Sequence, residues 1–241
     1  MKKIYYDKAI NKEMPIINHL IELRERVITS LVILLFLTIV CLNYSKEITM
    51  VLQQPALGIK FLQLAPGEYL FVSIKVALYS SFLISMPFSF YQISLFILPG
   101  LTQQESRYTI SILIGSIVLF FLGILFSYKI LIPITLKFLI NYGSDIVEPI
   151  WSFAEYFNFI ILILFSTGIS FQIPVIQVCL GITNVIKHEK MLESWKYIIF
   201  FATILGAIIT PSTDPITQII MTFTIVSLYL SGVLTLKILK K

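Results

Sequence analysis

The chain has little charge. Only 13% of its 241 residues are Asp, Glu, Lys or Arg, against about 25% in an ordinary water-soluble domain. A water-soluble fold is thereby excluded: with 57% hydrophobic residues and a mean hydropathy of +0.91, the apolar surface exceeds what a core of this size can enclose. Cysteine is scarce as well. Cys41 and Cys179 are the whole complement; the span order places them near opposite membrane faces, so no disulfide is expected. The two histidines, His19 and His188, lie far from both, so no metal-ligand spacing arises. Also missing are GxSxG and HExxH patterns, paired aspartates inside an apolar run, and an intramembrane serine with a base. An enzyme is not expected, and neither is a cofactor. All thirteen acids fall in polar breaks or near helix ends, whereas an ion pump needs an acid deep in a span. The first 18 residues carry no apolar core of a secretory signal, and no Arg- and Ser-rich transit peptide is seen, so the mature chain is expected to begin near Met1.

What the chain does have is long apolar runs. About 20 apolar residues cross the hydrocarbon of a bilayer. Six runs qualify as candidates: 27–43, 71–98, 108–132, 155–181, 196–210 and 215–236. The fifth has about 15 residues and is stopped by Pro211; at 1.5 Å per residue it reaches roughly 22 Å, short of the bilayer core. The breaks "NYSKEI", "LAPGEY", "LPGLTQQESR", "NYGSDIVEP", "GITNVIKHEKMLESWK" and "TPSTDP" separate the runs. Segments 44–70 and 134–154 are too apolar for solvated loops and read as short helices laid on one membrane surface. With six spans and both ends on the inner side, that side holds 13 Lys and Arg and the opposite side 5, the bias expected of a cytoplasmic or stromal face. Prolines inside the second and fourth runs free backbone carbonyls and kink helices, which favours a concave, glove-like array. The fold class is therefore an all-α polytopic membrane protein, one domain over 1–241, with residues 1–26 as an amphipathic leading segment on the inner side. No internal repeat is evident, which counts against the alternative of a small-solute secondary transporter.

Two inner-face acids stand out. Glu22 lies in "HLIELRER", four residues before Arg26, where an ordinary helix ion pair is one reading. Glu105 lies in "LPGLTQQESR", close to Arg107. Two carboxylates at helix ends beside an apolar groove suit guanidinium groups, which they bind bidentately. Gln172, in "GISFQIPV", is the most conspicuous polar side chain deep in a span. A polar amide there either glues helices together or lines a polar, water-accessible cavity.

At this point the residues resemble a known family. "INHLIELRERV" resembles the leading motif of TatC, the receptor subunit of the twin-arginine protein translocase. "SMPFSFYQISLFILPGLTQQESRY", "FFLGILFSYKILIP", "FSTGISFQIPV" and "ITPSTDPITQ" resemble the later TatC segments, in order, over about residues 19–220. The resemblance implies a receptor for twin-arginine signal peptides of folded cargo. It also implies single-span partners of the TatA and TatB type, an oligomeric complex, and transport driven by the proton-motive force. On the motif positions it assigns signal-peptide contact to Glu22 and Glu105, with Arg24 as the motif arginine. Pro55, Pro87, Phe96, Pro99 and Asp214 fall on positions for packing, loop shape or assembly. Many bacterial members carry glutamate where this chain has Gln172, so a contact there is expected to work by hydrogen bonding, not titration. The Ile-, Phe-, Tyr-, Lys- and Asn-rich composition and short tails point to a plastid-encoded chain in the thylakoid membrane, with a bacterial or mitochondrial inner membrane as alternatives.

Overall fold

The computed structural model describes residues 16–56, 58–100, 102–142, 150–183, 185–186, 188–209 and 215–239. Helix α1 runs over Ile16–Asn43. No Gly or Pro interrupts this stretch, so the charged leading segment and the first span form one helix, not a surface segment followed by a span. A short α2 (Ser45–Gln53) and a 3₁₀ turn (Gln54–Ala56) containing Pro55 follow on the outer side. Two tyrosines add donors to the last carbonyls of α2: Tyr128 Oη donates to Val51 O at 2.7 Å, which also accepts the Gln54 N–H, and Tyr156 Oη donates to Leu52 O at 2.7 Å.

The second span is α3, Glu68–Ile97, helical throughout with Pro87 inside. The third departs from expectation. Instead of ending before Pro133, α4 (Gln103–Phe126) passes through a π turn (Ser127–Leu131) directly into α5 (Ile132–Tyr142). Pro133 has no N–H and its ring clashes with the preceding turn of an α-helix. The π turn inserts one residue just before it, the Ile132 N–H reaching back to Ser127 O, and so absorbs the misfit without ending the column. The fourth span is divided: α6 (Phe153–Ser170) and α7 (Ile173–Ile182) meet at Phe171 and Gln172. Pro174 sits in the first turn of α7, where no N–H is needed. Then follow α8 (His188–Glu193), α9 (Trp195–Ile209) and α10 (Pro215–Ile238).

Five of these columns are long and apolar enough to cross a membrane, and α9, with 15 residues, is the short one the sequence suggests. Lipid-facing surface is plain along α1, α3, α9 and α10, in exposed residues such as Phe36, Phe71, Phe200 and Phe223. Burial is unequal. Only 11% of the most apolar window of α1 is buried, against 44% for α6–α7. The core, including Val76, Leu131, Ile132, Phe157, Ile160, Ile163 and Met221, gathers where α3, α5, α6 and α10 meet. Small polar pairs tie helices inside it: Thr38 Oγ1 to Ser81 Oγ (2.8 Å, α1–α3) and Thr135 Oγ1 to Thr217 Oγ1 (2.6 Å, α5–α10). The α7–α10 contact is close because Gly232 has no side chain. A Cβ there would meet the Gln177 amide and lie 3.0 Å from Pro174 Cα.

The outer side also carries an element that periodicity does not announce. Residues Lys60–Leu62 (β1) and Ile150–Ser152 (β2) pair in parallel, Lys60 with Ile150, Phe61 with Trp151 and Leu62 with Ser152. Three residues are too few to show alternation. Next to this ladder, Gly67 takes φ +80, a left-handed conformation that glycine adopts without strain. It turns the chain into α3 so that the Glu68 carboxylate points back. Its oxygens accept from the backbone N–H groups of Leu64 (2.6 Å), Ala65 (3.1 Å) and Ala154 (2.8 Å), and from Ser152 Oγ at 3.4 Å. Glu68 is buried. Cys41 and Cys179 are both free thiols.

Candidate functional site

The inner end of the α1–α3 pair brings together residues that the motif places on one helix face. His19, Glu22 and Arg26 follow at i, i+3 and i+7 along α1, so their side chains share a stripe. Gln92 and Phe96, at i and i+4 on α3, meet that stripe. Glu22 Oε1 accepts from Arg26 Nε at 2.9 Å and also from Arg26 Nη2. The guanidinium thus forks onto a single oxygen, and Arg26 Nη1 reaches across to Gln92 Oε1 at 3.1 Å. The ion pair read from the spacing is present, and Glu22 is occupied by its own chain's arginine. The other oxygen is different: Oε2 is shielded and has no hydrogen-bond partner among the described residues. His19 Nδ1 is 3.9 Å from it, and the His19 ring stacks on Phe96 with centroids 4.1 Å apart. Arg24 points away, exposed, with no ion-pair partner among the described residues.

Just beneath lies a slot of about 320 Å³ between α1 and α3. Leu23, Val27, Leu34, Phe82 and Ile93 line it, with Arg26 and Gln92 also in its wall. The site is therefore a carboxylate set over an apolar groove.

Glu105 stands in the first turn of α4, reached from α3 through the 3₁₀ turn Leu98–Gly100 that contains Pro99. Its Oε2 accepts the Thr102 backbone N–H at 2.8 Å, part of a capping box with Thr102. Negative charge there also faces the positive end of the helix dipole. Connectivity puts Glu22 and Glu105 on the same membrane side: α3 ends where α1 begins, as the His19–Phe96 stack shows, and α4 starts three residues past the 3₁₀ turn. Phe96 belongs to the Glu22 surroundings, Pro99 to the turn, Pro87 to the interior of α3, and Pro55 to the outer 3₁₀ turn. Asp214 lies outside the described residues.

Gln172 is at the α6–α7 break, 9% exposed. Ser116 Oγ donates to its Oε1 at 2.6 Å, and its Nε2 donates to Ser116 O at 3.2 Å. Of the two readings open from sequence, this is the geometry of an amide that joins helices. The amide's donor and acceptor are thereby both engaged, which a polar side chain buried at membrane depth requires, while the break keeps its backbone bonded locally, Phe171 N–H to Thr167 O and Gln172 N–H to Ile169 O.

The sequence reading overlooked Gln92, His19 and Glu68. The stripe spacing on α1 was available as a signal for His19. Gln92 depends on a helix 66 positions away along the chain, and Glu68 on an outer ladder that short strands conceal.

Comparisons with known proteins agree with this arrangement. Residues 18–223 match the family model described as Sec-independent protein translocase protein (TatC). The tatC-like protein ycf43 of Gracilaria tenuistipitata var. liui is 63% identical over 96% of this chain and 97% of its own length. The Sec-independent protein translocase protein TATC, chloroplastic, of Oryza sativa subsp. japonica is 43% identical over 95% of this chain and 64% of its own. The crystal structure of a twin arginine translocase receptor, TatC, superposes with a TM-score of 0.82 at 34% identity, covering 92% of this chain and all of that one. This multi-pass membrane protein, with plastid-type relatives, belongs to the TatC family of Sec-independent protein translocase components.

Proposed function

We propose that the chain is the core receptor subunit of a twin-arginine translocation system in a plastid thylakoid membrane. It binds twin-arginine signal peptides at its inner face through Glu22 and Glu105. It then recruits single-span partners of the TatA and TatB type for export of folded proteins driven by the proton-motive force. The observation that carries this is the Glu22 carboxylate, half of which lacks a hydrogen-bond donor among the described residues, set over an apolar slot. A signal peptide offers the matching order of groups, arginines followed by an apolar stretch. Glu105, at the head of α4 on the same side, supplies a second acceptor within the inner loop. Guanidinium groups gain most from such acceptors because they donate in a planar fork. The chloroplastic rice relative and the algal relative support the plastid location, and the solved receptor supports the role.

The test is cross-linking between a probe introduced beside Glu22 and a twin-arginine signal peptide. Strong cross-linking to the arginine peptide, weak cross-linking to a double-lysine version, and loss with Glu22→Ala or Glu105→Ala are expected. Equal labelling by both peptides, unaffected by either substitution, removes the proposal.

A further inference from the structure

We propose that Arg26 is a built-in competitor for the arginine position at Glu22, and that it limits how tightly the receptor holds a signal peptide. The inference rests on the reading of Glu22 as an arginine acceptor. Two features of the contact carry it. First, Arg26 presents to Glu22 the same fork that an incoming arginine presents, with Nε and Nη2 both on Oε1. The internal and external ligands are thus chemically alike, and one replaces the other without loss of contact type. Second, the arrangement is incomplete. Oε2 is shielded yet unpaired among the described residues, a state that costs free energy until a donor arrives. Arg26, for its part, is not confined to Glu22, because its Nη1 already holds Gln92 Oε1 at 3.1 Å. A guanidinium that displaces the side chains shielding Oε2 therefore begins to share the carboxylate, and Arg26 retains an anchor on α3 as it yields Oε1.

Exchange of one arginine for another keeps Glu22 paired at each stage, with or without cargo. In the free receptor Glu22 is then not a bare carboxylate at the membrane edge. The bound peptide faces a rival held in place by its own helix, an intramolecular competitor at high effective concentration. Such a rival favours release, which a receptor that passes its cargo onward requires.

The experiment uses the full chain in detergent and a fluorescent twin-arginine signal peptide, with binding measured for the wild type, Arg26→Lys, Arg26→Gln, Glu22→Gln and the double variant Glu22→Gln/Arg26→Gln. Arg26→Gln is expected to tighten binding about tenfold, the scale of one charged hydrogen-bonded contact. Arg26→Lys keeps the charge but loses the fork, and is expected to tighten binding about threefold. Both gains persist at raised salt, because a contact pair is screened less than a distant charge. The double variant binds as weakly as Glu22→Gln alone, since no competition remains without its target. Arg26→Lys retains an ion pair and a folded helix, so it decides the matter even where Arg26→Gln lowers stability. If the Arg26 variants bind no tighter while Glu22→Gln weakens binding, the competitor proposal falls and the receptor reading stands. If only Arg26→Gln tightens, and salt abolishes the gain, net charge explains it and the proposal is overturned. If Glu22→Gln itself changes nothing, the receptor reading falls and takes the proposal with it.

Discussion

Glu68 and Glu22 are both glutamates near the ends of membrane helices, and they are used in opposite ways. Glu68, on the outer side, has each carboxylate oxygen engaged, by the N–H groups of Leu64, Ala65 and Ala154 and by Ser152 Oγ. Those donors come from two segments far apart in sequence, so the carboxylate works as a knot between them. Glu22, on the inner side, has one oxygen taken by Arg26 from the same helix and one left unpaired among the described residues. Its surroundings are a stacked ring pair and a slot between two helices. The outer site is closed by many short-range contacts to backbone. The inner one is held by side chains that can be exchanged for those of a ligand. The difference shows that an acid at a helix end is not informative by type: its meaning depends on whether its acceptor capacity is already filled.

This contrast can be broken from either side. The largest effect on the fold is expected from Glu68→Ala, which strands three backbone N–H groups at once. Thermal unfolding of the solubilised protein should show its greatest fall there, and a midpoint unchanged from wild type would mean that the outer knot is not structural. Gly232→Ala tests the interior that neither glutamate touches. Its new methyl meets the Gln177 amide and the Pro174 backbone, and overpacking of this kind costs about 1–3 kcal/mol; unfolding in denaturant measures it. Gln172→Leu leaves the Ser116 hydroxyl without its partner and is expected to cost about 1–2 kcal/mol, again by unfolding, with Gln172→Asn as a partial rescue. Glu22→Gln should leave the melting midpoint almost in place and weaken twin-arginine peptide binding about tenfold, the reverse of the Glu68 pattern. The smallest effect is that of salt. Raising ionic strength should weaken peptide binding a few-fold while leaving the melting midpoint unmoved, because only the inner contact involves an encounter between separated charges.

Much of the fold is legible in the sequence because the membrane demands long apolar runs, and six of them stand clear of polar breaks. The short α9 was visible from Pro211 alone. Two prolines were less transparent. Pro133 reads as a terminator by its local chemistry, yet a π turn before it lets the column continue, and nothing local in "FSYKILIP" forces one outcome over the other. Pro174 reads as an interior kink but belongs to the first turn of a new helix. The β1–β2 ladder is hidden because pairing across the chain leaves no period in either strand. At the site, Glu22 and Arg26 were visible as an i, i+4 pair, and Glu105 as a loop acid. What the sequence does not carry is Gln92, since a hydrogen bond between α1 and α3 has no trace in the spacing of either.

The β1–β2 ladder has a consequence for biogenesis. The two strands flank α3 and the α4–α5 column, so they share a side of the bilayer only when an even number of crossings separates them. A chain in which one of those two spans fails to insert has its strands on opposite faces, and the ladder cannot form. Nor can Ala154 reach Glu68. Pairing of Lys60–Leu62 with Ile150–Ser152 therefore acts as a parity check on insertion. It comes late, after the fourth span begins to emerge, because contacts between distant segments wait for the chain between them.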